Sequence, residues 1–185
     1  MGMPDLVRRW TREEVLALPD DGNRYELFDG ELLVTPAPSG MHQVALMRLS
    51  EALVPYIRRH RLGEPLMSPA DLDLGGEQLS QPDLFVVPFL PPGRDWSNFP
   101  SPILIVEVLS PSTARADRTV KRRRFQRAGI PEYWIVDLDA RAIERWRLAD
   151  ERPEILDERL IWQPEAAASA LELDLPTFFR GVWGD

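Results

Sequence analysis

The chain has 185 residues, 44% hydrophobic and 28% charged, the balance of one soluble globular domain spanning 1–185 with its own core. Cysteine is absent and His42 and His60 are the only histidines. Disulfides, thiolate zinc sites and histidine-rich metal sites are therefore excluded, and any metal would be a hard cation on oxygen ligands. The net charge is −8, which on its face disfavours a nucleic-acid partner. No apolar run approaches the roughly 18 residues that cross a bilayer, and the start, MGMPDLVRRW, lacks the apolar stretch of a signal peptide. The expectation is a cytoplasmic protein with no membrane partner.

Taken in order, Thr11-Arg12-Glu13-Glu14 is a capping box that opens a short helix, stopped by Pro19. Arg24–Phe28, Asp29-Gly30 and Glu31–Thr35 read as a hairpin, with Arg24, Glu26 and Phe28 on one face. Pro36-Ala37-Pro38 breaks the strand. A helix then runs from Ser39 or Gly40 to about Arg61, with Gly63 as its stop. Leu66 to Leu74 reads as one irregular strand, and Gln81–Val87 as a buried strand with Asp83 at its entrance. Pro88–Pro102 is a proline-rich surface loop.

Ile103–Ser110 (ILIVEVLS) has the continuous apolar run of a central strand covered on both faces. Its one carboxylate, Glu107, shares a face with Ile105 and Leu109. Ser110 to Thr113 cap a helix of about Ala114–Ala128, closed by Gly129 and Pro131. Tyr133–Val136 and Ile143–Leu148 are strand-like, with Tyr133 and Trp134 as core. The tail holds a strand near Arg159–Gln163 and a strand or short helix over Leu171–Phe179. Helices and strands alternate without a dividing linker, so the fold class is a mixed α/β (α+β) domain.

Two strands thus carry one carboxylate each, Asp83 and Glu107. Brought together, they could share one Mg²⁺, which needs few protein carboxylates and keeps its waters. An unpaired buried carboxylate would otherwise cost about 3–5 kcal/mol. Val120, Phe125 and Ala128 bound the apolar arc of the following helix, with Lys121 inside it beside Asp117 and Arg124, where a buried Glu107 needs a cation. A plain i,i+4 pair of Lys121 with Asp117 is the bland alternative. Arg115, Arg122 and Arg123 point outward. With Arg118 they form a basic stretch able to meet phosphates, or simply a solvated helix face.

Together these residues resemble a known family. Pro82-Asp83 followed by Glu107-Val108-Leu109 is similar to the PD-(D/E)XK nuclease pattern, with Leu109 where that pattern has lysine and Lys121 as its migrated substitute. Arg24 to Leu32, His42-Gln43, Gln81 to Leu84, Val106 to Thr113, Asp117 with Lys121, and Ala128 to Trp134 resemble the Uma-two family of restriction-endonuclease-like proteins. The resemblance implies a restriction-endonuclease-like core, a mixed β-sheet flanked by helices, and a Mg²⁺- or Mn²⁺-dependent nuclease acting on DNA. Asp83, Glu107 and the Val108 carbonyl would hold the metal, and Lys121 would orient or activate the water. Glu26 matches a family acid and would be a further ligand or a general base, or else an exposed hairpin glutamate. His42 also matches, without a role assigned to it. Cutting a duplex suits a homodimer, to which Trp96 or Trp183 could contribute. The competing readings are a DNA-binding or assembly module without turnover, and a phosphodiesterase for a small nucleotide. No GxxxxGK[ST], GxGxxG or GxSxG pattern supports nucleotide hydrolysis, redox or esterase chemistry.

Overall fold

The computed structural model describes residues 8–76, 78–89 and 100–185. In chain order the elements are α1 (Arg12–Leu16), β1 (Arg24–Phe28), β2 (Glu31–Thr35), α2 (Gly40–His60), β3 (Glu64–Met67), β4 (Leu72–Asp73), β5 (Leu79–Ser80), β6 (Leu84–Val87) and β7 (Leu104–Val108). There follow α3 (Ala114–Ala116), a π-helical turn over Asp117–Lys121, α4 (Arg122–Arg127), β8 (Glu132–Asp137), β9 (Ala142–Arg147), β10 (Glu154–Leu156), β11 (Arg159–Trp162), β12 (Leu171–Asp174) and α5 (Leu175–Trp183). The mixed α/β class expected from the sequence is observed.

The main sheet has six strands in the order β10-β9-β8-β7-β6-β3. Only β7 and β8 run parallel within it; its other pairs are antiparallel. A parallel pair needs a crossover, and the helical stretch 114–127 supplies it. Alternation along β7 sends Leu104, Val106 and Val108 into a core with α2 and α5. Ile105 faces the opposite core, where Phe125 of α4, Tyr133 and Ile135 pack. Glu107 points to that second side, so the crossover passes over its carboxylate. The hairpin joins a second, four-stranded sheet, β2-β1-β5-β4, and β11-β12 form a separate pair.

The capping box at Thr11 and the hairpin register follow the sequence, with Asp29 and Gly30 both at positive φ in its turn. Three boundaries differ. Helix α2 ends at a left-handed Arg61 rather than at Gly63. Gly63 instead lies against the edge of β6, where a Cβ would stand 1.9 Å from the Val87 carbonyl oxygen. The stretch Leu66–Leu74 is two strands, broken around Ser68-Pro69 and divided between the two sheets. The tail holds both a strand and a helix, joined at Asp174, whose side chain caps α5. Most of the proline-rich loop, including Trp96, lies outside the described residues.

Candidate active site

The predicted carboxylates meet where β6 begins and β7 ends. Leu84 pairs with Val106, which sets Asp83 alongside Glu107 and Val108. The Asp83 N–H donates to Glu107 Oε2 at 3.2 Å, and the Val108 N–H donates to Asp83 Oδ2 at 2.8 Å. It is thus the amide of Val108 that touches Asp83. Both acids are buried, at 2% and 1% exposure. Asp83 also accepts from Arg24 Nη1 at 2.5 Å, and its Oδ2 lies 2.9 Å from His42 Nε2. Burial alone would raise the Asp83 pKa. His42, Arg24 and the Val108 amide outweigh it and hold the group well below the usual carboxylate range.

Lys121 arrives from the crossover and is fully buried. Its ammonium donates to Glu107 Oε1 at 2.9 Å and lies 2.8 Å from Glu26 Oε2 and 3.2 Å from Asp117 Oδ1. Glu26, which the hairpin could have left in water, is 0% exposed. Its other oxygen accepts from Ser80 Oγ at 2.7 Å and from the Gln81 amide at 3.0 Å. The π-turn widens the helix where Lys121 and Asp117 turn inward, with the Arg122 N–H donating to the Asp117 carbonyl. Turns of this kind are frequent at functional sites.

The protonation pattern is uneven. Burial pushes Glu107 well above the ordinary carboxylate value, and the charges of Asp83, Asp117 and Glu26 add to it; Lys121 offsets only part. Burial also raises Asp117. Burial opposes the charge on Lys121, yet the three carboxylates around it hold its pKa well above the usual lysine value. Burial would raise Glu26, but Lys121 together with the Gln81 amide and the Ser80 hydroxyl brings it below its ordinary value.

A family model described as "Uma2: Putative restriction endonuclease" matches residues 12–176. The chain belongs to the Uma2 family. Its fold is shared with a crystal structure of "a putative nuclease belonging to DUF820" from Anabaena variabilis ATCC 29413. That chain is 22% identical, with a TM-score of 0.80, and the match covers 94% of this chain and 99% of the other. No curated protein matches the chain.

Whether a divalent cation fits this Uma2 site is a question of charge. Four carboxylates (Glu26, Asp83, Glu107 and Asp117) are packed with two permanently charged cations, Arg24 and Lys121. Fully ionised, the four would exceed the two cations by the charge of one Mg²⁺ or Mn²⁺. Burial instead favours protons on Glu107 and Asp117, which a cation would displace. The donors are the hard oxygens such ions take. Among the described residues, however, no three His, Asp or Glu side chains are arranged as a ready-made metal cage. A metal would have to draw Glu107 from Lys121, or Asp83 from Arg24 and His42.

The basic residues divide. Arg115 and Arg123 are exposed. Arg122 lies over the Trp146 ring at 4.6 Å and donates to Gln126. Arg118 is tied to Glu144 and Asp137 at 2.6 and 2.7 Å. Trp183 is 42% exposed and donates to the Leu138 carbonyl. Sequence reasoning missed Arg24 and gave His42 no role, although both touch Asp83. For Arg24 the signal was its place two residues before Glu26, on the same strand face.

Proposed function

We propose that this chain is a Mg²⁺- or Mn²⁺-dependent endonuclease that hydrolyses DNA phosphodiester bonds. The observation that carries the proposal is the cluster of four buried carboxylates, Asp83, Glu107, Glu26 and Asp117, around Lys121 and Arg24, in a chain of the Uma2 family. In this reading Asp83 and Glu107 would hold the metal with the Val108 carbonyl, and Glu26 is a further ligand or a base. The bound ion supplies an acidic water and offsets charge growing on the phosphoryl group. Lys121, held at Glu107, orients the attacking water through its ammonium and favours the ionised form of Glu26 when no metal is bound. Arg24 and His42 fix the Asp83 carboxylate against both of its oxygens. Arg115 and Arg123 are free to meet backbone phosphates, with Arg118 and Arg122 behind them. A two-fold dimer in the cytoplasm would match the symmetry of a cut duplex.

One observation favours the alternative, a module that keeps the fold without turnover: Asp83 and Glu107 have both oxygens engaged by protein groups. Incubating supercoiled plasmid with the chain, with and without Mg²⁺ or Mn²⁺, separates the two. We expect metal-dependent nicking that is lost in Asp83→Asn. Intact plasmid under all conditions supports the module; equal cutting by Asp83→Asn removes Asp83 from the chemistry.

A further inference from the structure

On the Asp83 side of the carboxylates, a cavity of about 330 Å³ opens between the chain entering β1, the first turns of α2 and the end of β3. That is room for a small ligand, whose pockets start at roughly 300 Å³. Leu46, Met67 and Pro69 give it an apolar side, Asp20 and Gln43 a polar one, and Asp83 itself is part of the lining. Met67 leaves apolar surface in water there, at 38% exposure.

Most polar groups around the cavity are engaged. Arg24 donates to Asp83 and, at 3.2 Å, to the Gln81 carbonyl, while the Gln81 side chain donates to Asp71 at 2.6 Å. Gln43 differs. It is exposed and follows His42, which meets Asp83. Among the described residues its side-chain amide has no hydrogen-bond partner, and neither has the exposed carboxylate of Asp20.

The charge balance selects the ligand. Among the described residues Arg24 is the one cation in the lining, and Asp83 matches it, which leaves Asp20 in excess. A phosphate is disfavoured there. A flat neutral group is favoured, with a donor for the carboxylate and a donor–acceptor edge for the amide. A nucleobase has that form. Adenine suits it best: glutamine pairs with its N6 amino group and N7 together, whereas guanine turns two acceptors to the same edge.

We propose that this cavity seats an adenine of the substrate strand, next to the phosphodiester that is cut, and that Gln43 reads its edge. The inference rests on the nuclease reading above but is tested without turnover. Labelled single-stranded octamers of deoxyadenylate, deoxycytidylate and deoxythymidylate are titrated with the full chain, free of divalent metal, and binding is read by fluorescence anisotropy. The adenine octamer should bind about tenfold more tightly than the thymine one, within the range of one bidentate contact to a base. Gln43→Ala should erase that difference and leave the thymine octamer unchanged. Gln43→Glu, which accepts but does not donate, should move the preference to cytosine. Both variants change an exposed position, with little risk to folding. Equal binding of the three octamers by the parent, binding of none, or an adenine preference that survives Gln43→Ala would each overturn the proposal. An adenine preference in a chain that cuts no DNA leaves the base seat standing and removes the nuclease reading. Metal-dependent cutting with no base preference does the reverse.

Discussion

Lys121 and Arg118 leave the same helical stretch three residues apart and meet carboxylates in opposite settings. Arg118 holds Asp137 and Glu144; its side chain is 39% exposed, and theirs are 19% and 11%. Lys121 holds Glu26, Glu107 and Asp117, with 0% of its own side chain and at most 2% of theirs in water. Both clusters carry more acid than base. At Arg118 water and salt screen the excess. At Lys121 only protein surrounds it, and the strain appears as the raised pKa values of Glu107 and Asp117. Solvent, rather than charge ratio, separates the two clusters.

The largest effect should come from removing the ammonium. Lys121→Ala leaves three carboxylates buried without it, and losing one partner of a buried pair costs about 3–5 kcal/mol. Its melt should fall accordingly, and plasmid cleavage should drop while metal binding remains. Adding Leu109→Lys should recover part of the cleavage, because Leu109 packs on the Glu107 side of β7 and is only half-buried. If Lys121→Ala cuts as fast as the parent, the lysine is purely structural.

Glu107→Gln tests the strain from the other side. A group whose pKa is raised by folding stabilises the fold below its ordinary value, here 4.5, and that contribution is lost as pH rises through the raised value. The metal-free variant should therefore melt above the parent by about 0.5–2 kcal/mol, the range of substitutions that exchange function for stability. The gap should widen from acidic to neutral pH, while cleavage disappears. Asp83 works the other way: its pKa is lowered, so its contribution is present at neutral pH and lost as pH falls through the carboxylate range. A Glu107→Gln melt that is lower than the parent's at neutral pH would contradict the reading of stored charge.

At the partly exposed cluster the effects shrink. Arg118→Ala should cost no more than about 1 kcal/mol, and less in high salt. A loss as large as that of Lys121→Ala would erase the contrast between the two settings. Smaller still in stability, Arg115→Glu with Arg123→Glu should shift the melt by no more than about 0.5 kcal/mol. Its readout is DNA affinity, which should weaken for all sequences, with the salt slope reduced by about one for each phosphate contact removed. An unchanged slope would take these arginines out of the interface.

Much of this arrangement was legible because strand alternation leaves few choices. Glu107 in an apolar run, Asp83 at the entrance of another, and Lys121 on an inward helical arc each follow from periods of two and 3.6 residues. The hairpin and the α2 cap were equally local. Contacts across the chain were less readable. Glu26 could have faced solvent until β5 closed over it, with Ser80 and Gln81 supplying donors from 54 and 55 residues away. His42 reaches Asp83 across 41 residues, and Arg24 across 59. Gly63 looked like a helix stop because the closeness of Val87 is tertiary. The same holds for Arg118, which the sequence shows as one more arginine of a basic run, and which the fold returns to β8 and β9.

Calorimetric titration of the metal-free chain with Mn²⁺ and Mg²⁺ tests the central claim most directly, since it asks whether the buried carboxylate cluster takes a cation. One divalent ion should bind the parent, bind Lys121→Ala at least as well, and fail to bind Asp83→Asn and Glu107→Gln. Absence of binding to the parent, or equal binding by all four proteins, would contradict the account.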